Sequence, residues 1–178
     1  MAAALGTLNG GKMQNSTEHG VRNIEVFAEA TTISGWRKQA IAGQPDAGRF
    51  AFVADEGDYM PGGEGTAPTP LSYFVAGLAM CILSQVSNIA FRKKLAIRNE
   101  RVNILARFLE TGSILKGDKE GEAVGFEIEL SIDSDEDEKE IMNLMRMAHR
   151  MCFAEDSLTR AMKLELSHSL NGKEIHLS

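Results

Sequence analysis

The sequence predicts an α+β fold in which antiparallel sheets pack on two long helices. Three observations carry this. Val124, Phe126, Ile128, Leu130 and Ile132 alternate with other residues, the period-two pattern of a strand with one buried face. Leu71, Phe74, Val75, Leu78, Ile82, Val86 and Ile89 recur at helical spacing, and Ile141, Leu144, Met145, Ala148 and Cys152 form a second such stripe. The resulting order of strands, long helix, hairpin, helix and hairpin, with no internal repeat, belongs to helices laid on antiparallel sheet.

Taken in chain order, residues 1–20 are rich in Gly, Asn, Ser and Thr and are expected to form a flexible arm. A single domain is expected over residues 21–178. Ile24, Val26 and Ala28 alternate as a first strand, Ser34-Gly35 offers a turn, Trp36–Ala42 returns, and Phe50–Ala54 makes a third strand. Residues 55–70 are too rich in Gly and Pro for a regular element. Thr69 then reads as a helix N-cap with Pro70 in the first helical position, and Arg92, Lys93 and Lys94 close that helix where cations suit the negative end of its dipole. Val102, Ile104, Ala106 and Phe108 pair with the alternating run at 124–132 across a loop at 111–123. The acids Asp133 to Glu138 read as the capping and first-turn residues of the second helix rather than an interaction surface. A helical stretch over Asp156–Met162 leads to a last hairpin, turned by Asn171-Gly172 and closed by Lys173–Leu177.

The 178 residues suffice for one domain with a core. With 43% hydrophobic and 25% charged residues the balance is that of a globular chain. A net charge of −6 without a Lys/Arg stripe speaks against nucleic acid as partner. No apolar run approaches the roughly 20 residues that cross a bilayer, so no membrane association is expected. The N-terminus lacks the positive charge of a secretory signal, and two cysteines without an export signal fit the reducing cytoplasm. Gly62-Gly63-Glu64-Gly65 matches no nucleotide-binding spacing, and no G-x-S-x-G is present. The histidines 19, 149, 168 and 176 form no ligand set with the cysteines, so neither metal nor cofactor is expected.

The two cysteines admit two readings. Cys81 and Cys152 each fall on an apolar stripe, where a free cysteine commonly serves as a small buried hydrophobe. Alternatively they are a thiol pair on facing helices, one attacking an oxidant as thiolate and the other resolving the sulfenic acid into a disulfide. His149, three residues before Cys152, either tunes that thiol or satisfies polar groups at a rim. Met142, Met145, Met147 and Met151 crowd the same region, as core filler or as the lining of an apolar pocket.

Gly62-Gly63-Glu64-Gly65-Thr66-Ala67-Pro68-Thr69-Pro70-Leu71, followed by Tyr73 to Cys81, resembles the motif of the OsmC-like family, in which a Gly-Gly loop and a Pro-started helix precede the first cysteine. Ala148-His149-Arg150-Met151-Cys152 resembles that family's second-cysteine segment, and the likeness runs from about Ile24 to the C-terminus. The resemblance implies an intertwined homodimer. OsmC and the organic hydroperoxide resistance proteins are thiol peroxidases recharged by external dithiols, in some members lipoylated proteins. By match, Cys81 is the peroxidatic thiol, Cys152 the resolving one, and Arg37 the cation that activates the thiol. Leu71 stands where those peroxidases carry a glutamate that pairs with the arginine, and Phe153 where they carry proline. Glu64 offers itself as a substitute partner for Arg37. Phe74, Met145, His149 and Glu64 are the candidates for contacting a small apolar peroxide. The competing expectation is a non-catalytic module that holds a small apolar ligand at the dimer interface.

Overall fold

The computed structural model describes residues 22–176, so the expected arm at 1–20 and Leu177 of the last strand lie outside the described residues. The chain forms two compact units, the first running to Pro70 and the second beginning at Leu71.

In the first unit, β1 (Phe27–Ser34), β2 (Arg37–Gln44) and β3 (Gly48–Ala54) form an antiparallel sheet in that order. The first strand starts later than its alternation implies, because Ile24 and Val26 precede the ladder, whose first paired residue is Phe27 opposite Gly43. The expected turn is in place, with Gly35 at φ +47° between Ser34 and its partner Arg37. Ile41, Phe50 and Phe52 are exposed, and Asp55 is the one residue of the first unit classed as buried among the described residues.

The loop from Asp55 to Thr69 is irregular but tightly tied. Gly65 N–H donates to Glu56 O at 2.9 Å, Gly63 N–H to Met60 O at 2.8 Å, and the Trp36 indole N–H to Pro61 O at 2.8 Å. The paired glycines have separate reasons to be there. Gly62 holds φ +87° beneath the Trp36 indole, a conformation that L side chains rarely adopt, whereas a Cβ on Gly63 would collide with the carbonyls of Glu56 and Gly57.

In the second unit, α1 (Pro70–Lys93) starts on proline, as its sequence predicts, and packs Leu78, Ile82, Val86, Ile89 and Ala90 into the core. Beyond it come β4 (Ile97–Thr111) and β5 (Glu120–Ser134), a long antiparallel hairpin, then α2 (Glu138–Met151) and α3 (Phe153–Thr159). The hairpin sets Val102, Ile104, Phe126, Ile128, Leu130 and Ile132 against the helices. The opposite face carries pairs such as Arg107–Glu127 at 2.6 Å and Asn103–Glu129 at 3.0 Å. That division is the alternation read in the sequence.

Three boundaries differ from expectation. The hairpin loop is shorter, since β5 begins at Glu120 and Ile114–Lys116 form a 3-10 turn. Asp133 and Ser134 belong to β5, because Ile97 pairs with Ser134 and Arg98 with Asp133 in the ladder. Asp135 binds Arg98 in a bidentate pair at 2.9 and 3.0 Å, and this mutual pairing lowers the carboxyl pKa and raises that of the guanidinium. Only Asp137 caps α2, accepting from Lys139 N–H at 2.8 Å. The third helix runs over Phe153–Thr159 rather than Asp156–Met162. The last hairpin, β6 (His168–Leu170) and β7 (Lys173–Ile175), turns at Asn171 and Gly172 with φ of +52° and +77°. Two positive φ values in a two-residue loop suit the twist of a hairpin.

Leu144 of α2 is fully buried against the α1 cluster of Val86, Ile89 and Ala90. Leu144→Ala is therefore expected to destabilise the protein by about 2–5 kcal/mol, since the site is enclosed and cannot collapse freely. Urea unfolding measures this, and a loss below about 1 kcal/mol would show a core looser than described.

The expectation that no segment is apolar enough to span a membrane needs correction, because α1 passes that test by length and composition. Ser84, Gln85, Ser87 and Asn88 interrupt its apolar residues, which is why no unbroken run is visible. Only 28% of its most apolar 18-residue window is buried within the chain.

Candidate functional site

Cys81 sits on α1, half-buried, one residue before the fully buried Ile82. Cys152 is fully buried and packs in one cluster with Leu78, Ile82 and Cys81. The two thiols, 71 positions apart in sequence, are thus neighbours, and both are free. Cys152 does not lie within α2 as its stripe implied. It is the single residue between α2 and α3, with φ −76° and ψ 108°, and it serves both as C-cap of one helix and N-cap of the next. Its N–H donates back to His149 O at 3.2 Å, while its carbonyl accepts from Asp156 N–H at 2.9 Å.

Burial pushes the Cys152 thiol up to about 11, and the adjacent Cys81 thiol pushes in the same direction, while the Glu155 N–H works against both. Cys152 is therefore a neutral thiol at pH 7, the state expected of a group that waits to resolve rather than to attack. Because the folded value lies above the unfolded one, near 9, its contribution to stability is full below pH 9 and is lost as pH rises towards 11. Melting curves of wild type and Cys152→Ala over pH 8–11 check this. The gap between them is expected to close across that window, and a constant gap would contradict the assignment.

Glu155 is the residue that sequence reasoning missed. Its N–H points to Cys152 Sγ at 3.5 Å, and its carboxylate meets His149 Nδ1 at 2.9 Å. Both side chains are partly buried. The expected helix at Asp156–Met162 leaves Glu155 outside it, and residues six apart do not face each other on one helix. Only the break at Cys152 brings them together.

Phe74 on α1 stacks edge-on with Phe126 at 6.2 Å between centroids, and Phe126 in turn meets Phe108 at 5.9 Å. Phe74 remains 46% exposed, so one face of this aromatic group is open. Met147 and Met151 pack on the core, Met145 is half-buried on α2, and Met142 is exposed.

Arg37 and Glu64 belong to the first unit. Arg37 opens β2, and no ion pair joins it to Glu64 among the described residues. The carboxylate that feels the Arg37 charge is Asp55, 3% exposed. It accepts from Thr66 Oγ1 at 2.7 Å, from Thr66 N–H at 3.1 Å and from Glu56 N–H at 2.9 Å. The Thr66 bonds lead in holding its carboxyl below the usual carboxylate range, with Arg37 adding to them. The sequence signal for Asp55 was its place at the end of a strand, just ahead of the glycine loop.

Two neighbouring free thiols, one half-exposed on a core helix and one buried at a helix break, thus sit on a scaffold of helices and antiparallel sheet. The family model for OsmC-like protein matches residues 63–167, more than half of the chain. The chain belongs to the OsmC-like family. No curated protein matches it in sequence. Among solved structures it is similar to an OsmC-like hydroperoxide resistance protein from Jannaschia sp. CCS1, with 24% identity, a TM-score of 0.54, and coverage of 86% of this chain and 99% of that one. An OsmC-like protein from Mycoplasma pneumoniae gives 19% identity and a TM-score of 0.53 over 78% of this chain and 88% of that one. The organic hydroperoxide resistance protein OsmC of Legionella pneumophila gives 21% and 0.53 over 75% and 88%. At these identities the solved structures establish the shared fold, and the family match establishes a general OsmC-like role.

Proposed function

We propose that the chain is a thiol-dependent peroxidase that reduces organic hydroperoxides as a homodimer. The carrying observation is the packing of half-exposed Cys81 against buried Cys152. In the first step the Cys81 thiolate attacks the peroxide oxygen, giving the sulfenic acid, and the alkoxide leaves as the alcohol after taking a proton. In the second, the Cys152 sulfur bonds to the Cys81 sulfur, its proton departs with the hydroxyl group as water, and a disulfide remains. An external dithiol, free or as a lipoyl group on a partner protein, reduces that disulfide and is itself oxidised. Arg37 is assigned the role of activating cation by resemblance, and within its own unit its charge acts on Asp55. The open aromatic edge at Phe74 suits an apolar peroxide.

The dimer reading rests on α1. No charged residue occurs between Pro70 and Phe91, and opposite its core face the helix carries Ala76, Met80, Leu83, Ser87 and Phe91 at spacings of three and four. Met80 is 61% and Phe91 85% exposed. A stripe of small and apolar residues at this spacing fits a second copy of the same helix.

Turnover of cumene hydroperoxide with dihydrolipoamide as reductant tests the activity. Consumption that requires the dithiol and falls at least tenfold in Arg37→Ala, with folding retained, is expected. If peroxide is not consumed and both thiols stay reduced, the protein is instead a module holding a small apolar ligand.

A further inference from the structure

The contact between His149 Nδ1 and Glu155 Oε2, at 2.9 Å, lies astride Cys152. His149 comes from the last turn of α2 and Glu155 from the first turn of α3, so the pair closes over the one residue that belongs to neither helix. The same residue that offers its carboxylate to His149 offers its backbone N–H to the Cys152 sulfur, at 3.5 Å. At the break the N–H of Cys152 is engaged by His149 O and its carbonyl by Asp156 N–H. The sulfur's direction therefore depends on how α3 leaves α2, and the His149–Glu155 contact is a side-chain bridge across that break.

We propose that His149 and Glu155 are positioning residues for Cys152, a clasp across the α2–α3 break that aims the Glu155 N–H at its sulfur and sets the rate at which Cys152 closes on Cys81. This rests on the thiol-pair reading above. The clasp serves the resolving step alone. Closure forms the S–S bond, breaks the S–O bond of the Cys81 sulfenic acid and releases water, so the thiol proton must leave Cys152 as its sulfur attacks. A fixed N–H donor on the sulfur stabilises the charge that develops there. Neither side chain is asked to take the proton.

The test follows the two steps separately in the full-length protein. Sulfenic acid formation at Cys81 is measured by dimedone trapping, and closure by the mass loss of disulfide formation after cumene hydroperoxide. His149→Ala and Glu155→Ala are each expected to slow closure by about tenfold, and Glu155→Ala is expected to leave sulfenic acid formation unchanged. The double variant is expected to be no slower than either single one, because both remove the same contact. His149→Asn, which keeps a donor near the Nδ1 position, is expected to restore most of the rate. Closure at the wild-type rate in both alanine variants would overturn the proposal, as would slowing that tracks the melting temperature and is not rescued by asparagine. Diamide, which accepts two electrons and two protons from a pair of thiols, drives the same closure without peroxide. Slowed diamide closure in the variants of a protein whose wild type ignores peroxide would uphold the clasp and refute the peroxidase. Peroxide turnover with unaltered closure would do the reverse.

Discussion

Cys81→Ser is expected to abolish peroxide reduction, with loss of at least three orders of magnitude in the rate of hydroperoxide consumption. A serine hydroxyl at this position has no thiolate state to attack oxygen, and nothing else in the cluster of Leu78, Ile82 and Cys152 can replace it. Cys152 itself is fully buried and held neutral, so it cannot take over as the attacking group. Cys152→Ser should behave differently. Cys81 still reacts once, but the sulfenic acid has no neighbour to trap it and proceeds to sulfinic and sulfonic acid with excess peroxide. Mass spectra after graded peroxide therefore distinguish the two: an unchanged mass at Cys81→Ser, and stepwise gain of oxygen at Cys152→Ser. Identical behaviour of the two variants would remove the division of labour between the thiols.

The second large effect concerns assembly. A Met80→Glu change places a carboxylate in the middle of the outer stripe of α1, between Ala76 and Leu83, where wild type has no charge from Pro70 to Phe91. If two copies of α1 bury this stripe, an unpaired carboxylate there weakens association by two orders of magnitude or about 3 kcal/mol at least. Light scattering at micromolar concentration is expected to give twice the chain mass of 19.4 kDa for wild type, and monomer or aggregate for the variant. A wild-type monomer of native compactness would end the dimer reading.

How much of this was legible in the sequence depends on whether the deciding contact was local. Proline at the first position of α1 and the Asn171-Gly172 turn are local devices, and both stand where the residues put them. The β5 alternation was equally readable, because one face packs on helices while the other carries charged pairs. The start of α2 was misplaced because Asp133 and Ser134 are as good caps as Asp137, and only the ladder to Ile97 and Arg98 draws them into the strand. The break at Cys152 left no mark in the sequence. Neither Pro nor Gly occurs from Glu138 to Arg160, so the stripe was carried through Cys152 and the next helix was begun three residues late, at Asp156. With the break hidden, the contact of His149 with Glu155 could not be seen. The approach of Cys81 to Cys152 was one of two readings that the apolar stripes left open, because it depends on how residues 71 positions apart come to share one cluster. Asp55, acting near Arg37, went unnoticed because a lone acid in a loop otherwise looks solvated.

The central claim is that Cys81 and Cys152 form one redox unit. It is tested most directly by exposing the reduced protein to one equivalent of cumene hydroperoxide, quenching with an alkylating agent and mapping peptides without reductant. The account predicts a single cross-linked species joining the Cys81 and Cys152 peptides, with both thiols lost together and the mass lower by two hydrogens. Recovery of both cysteines alkylated and unlinked, after excess peroxide and under conditions that expose them to the reagent, would contradict it.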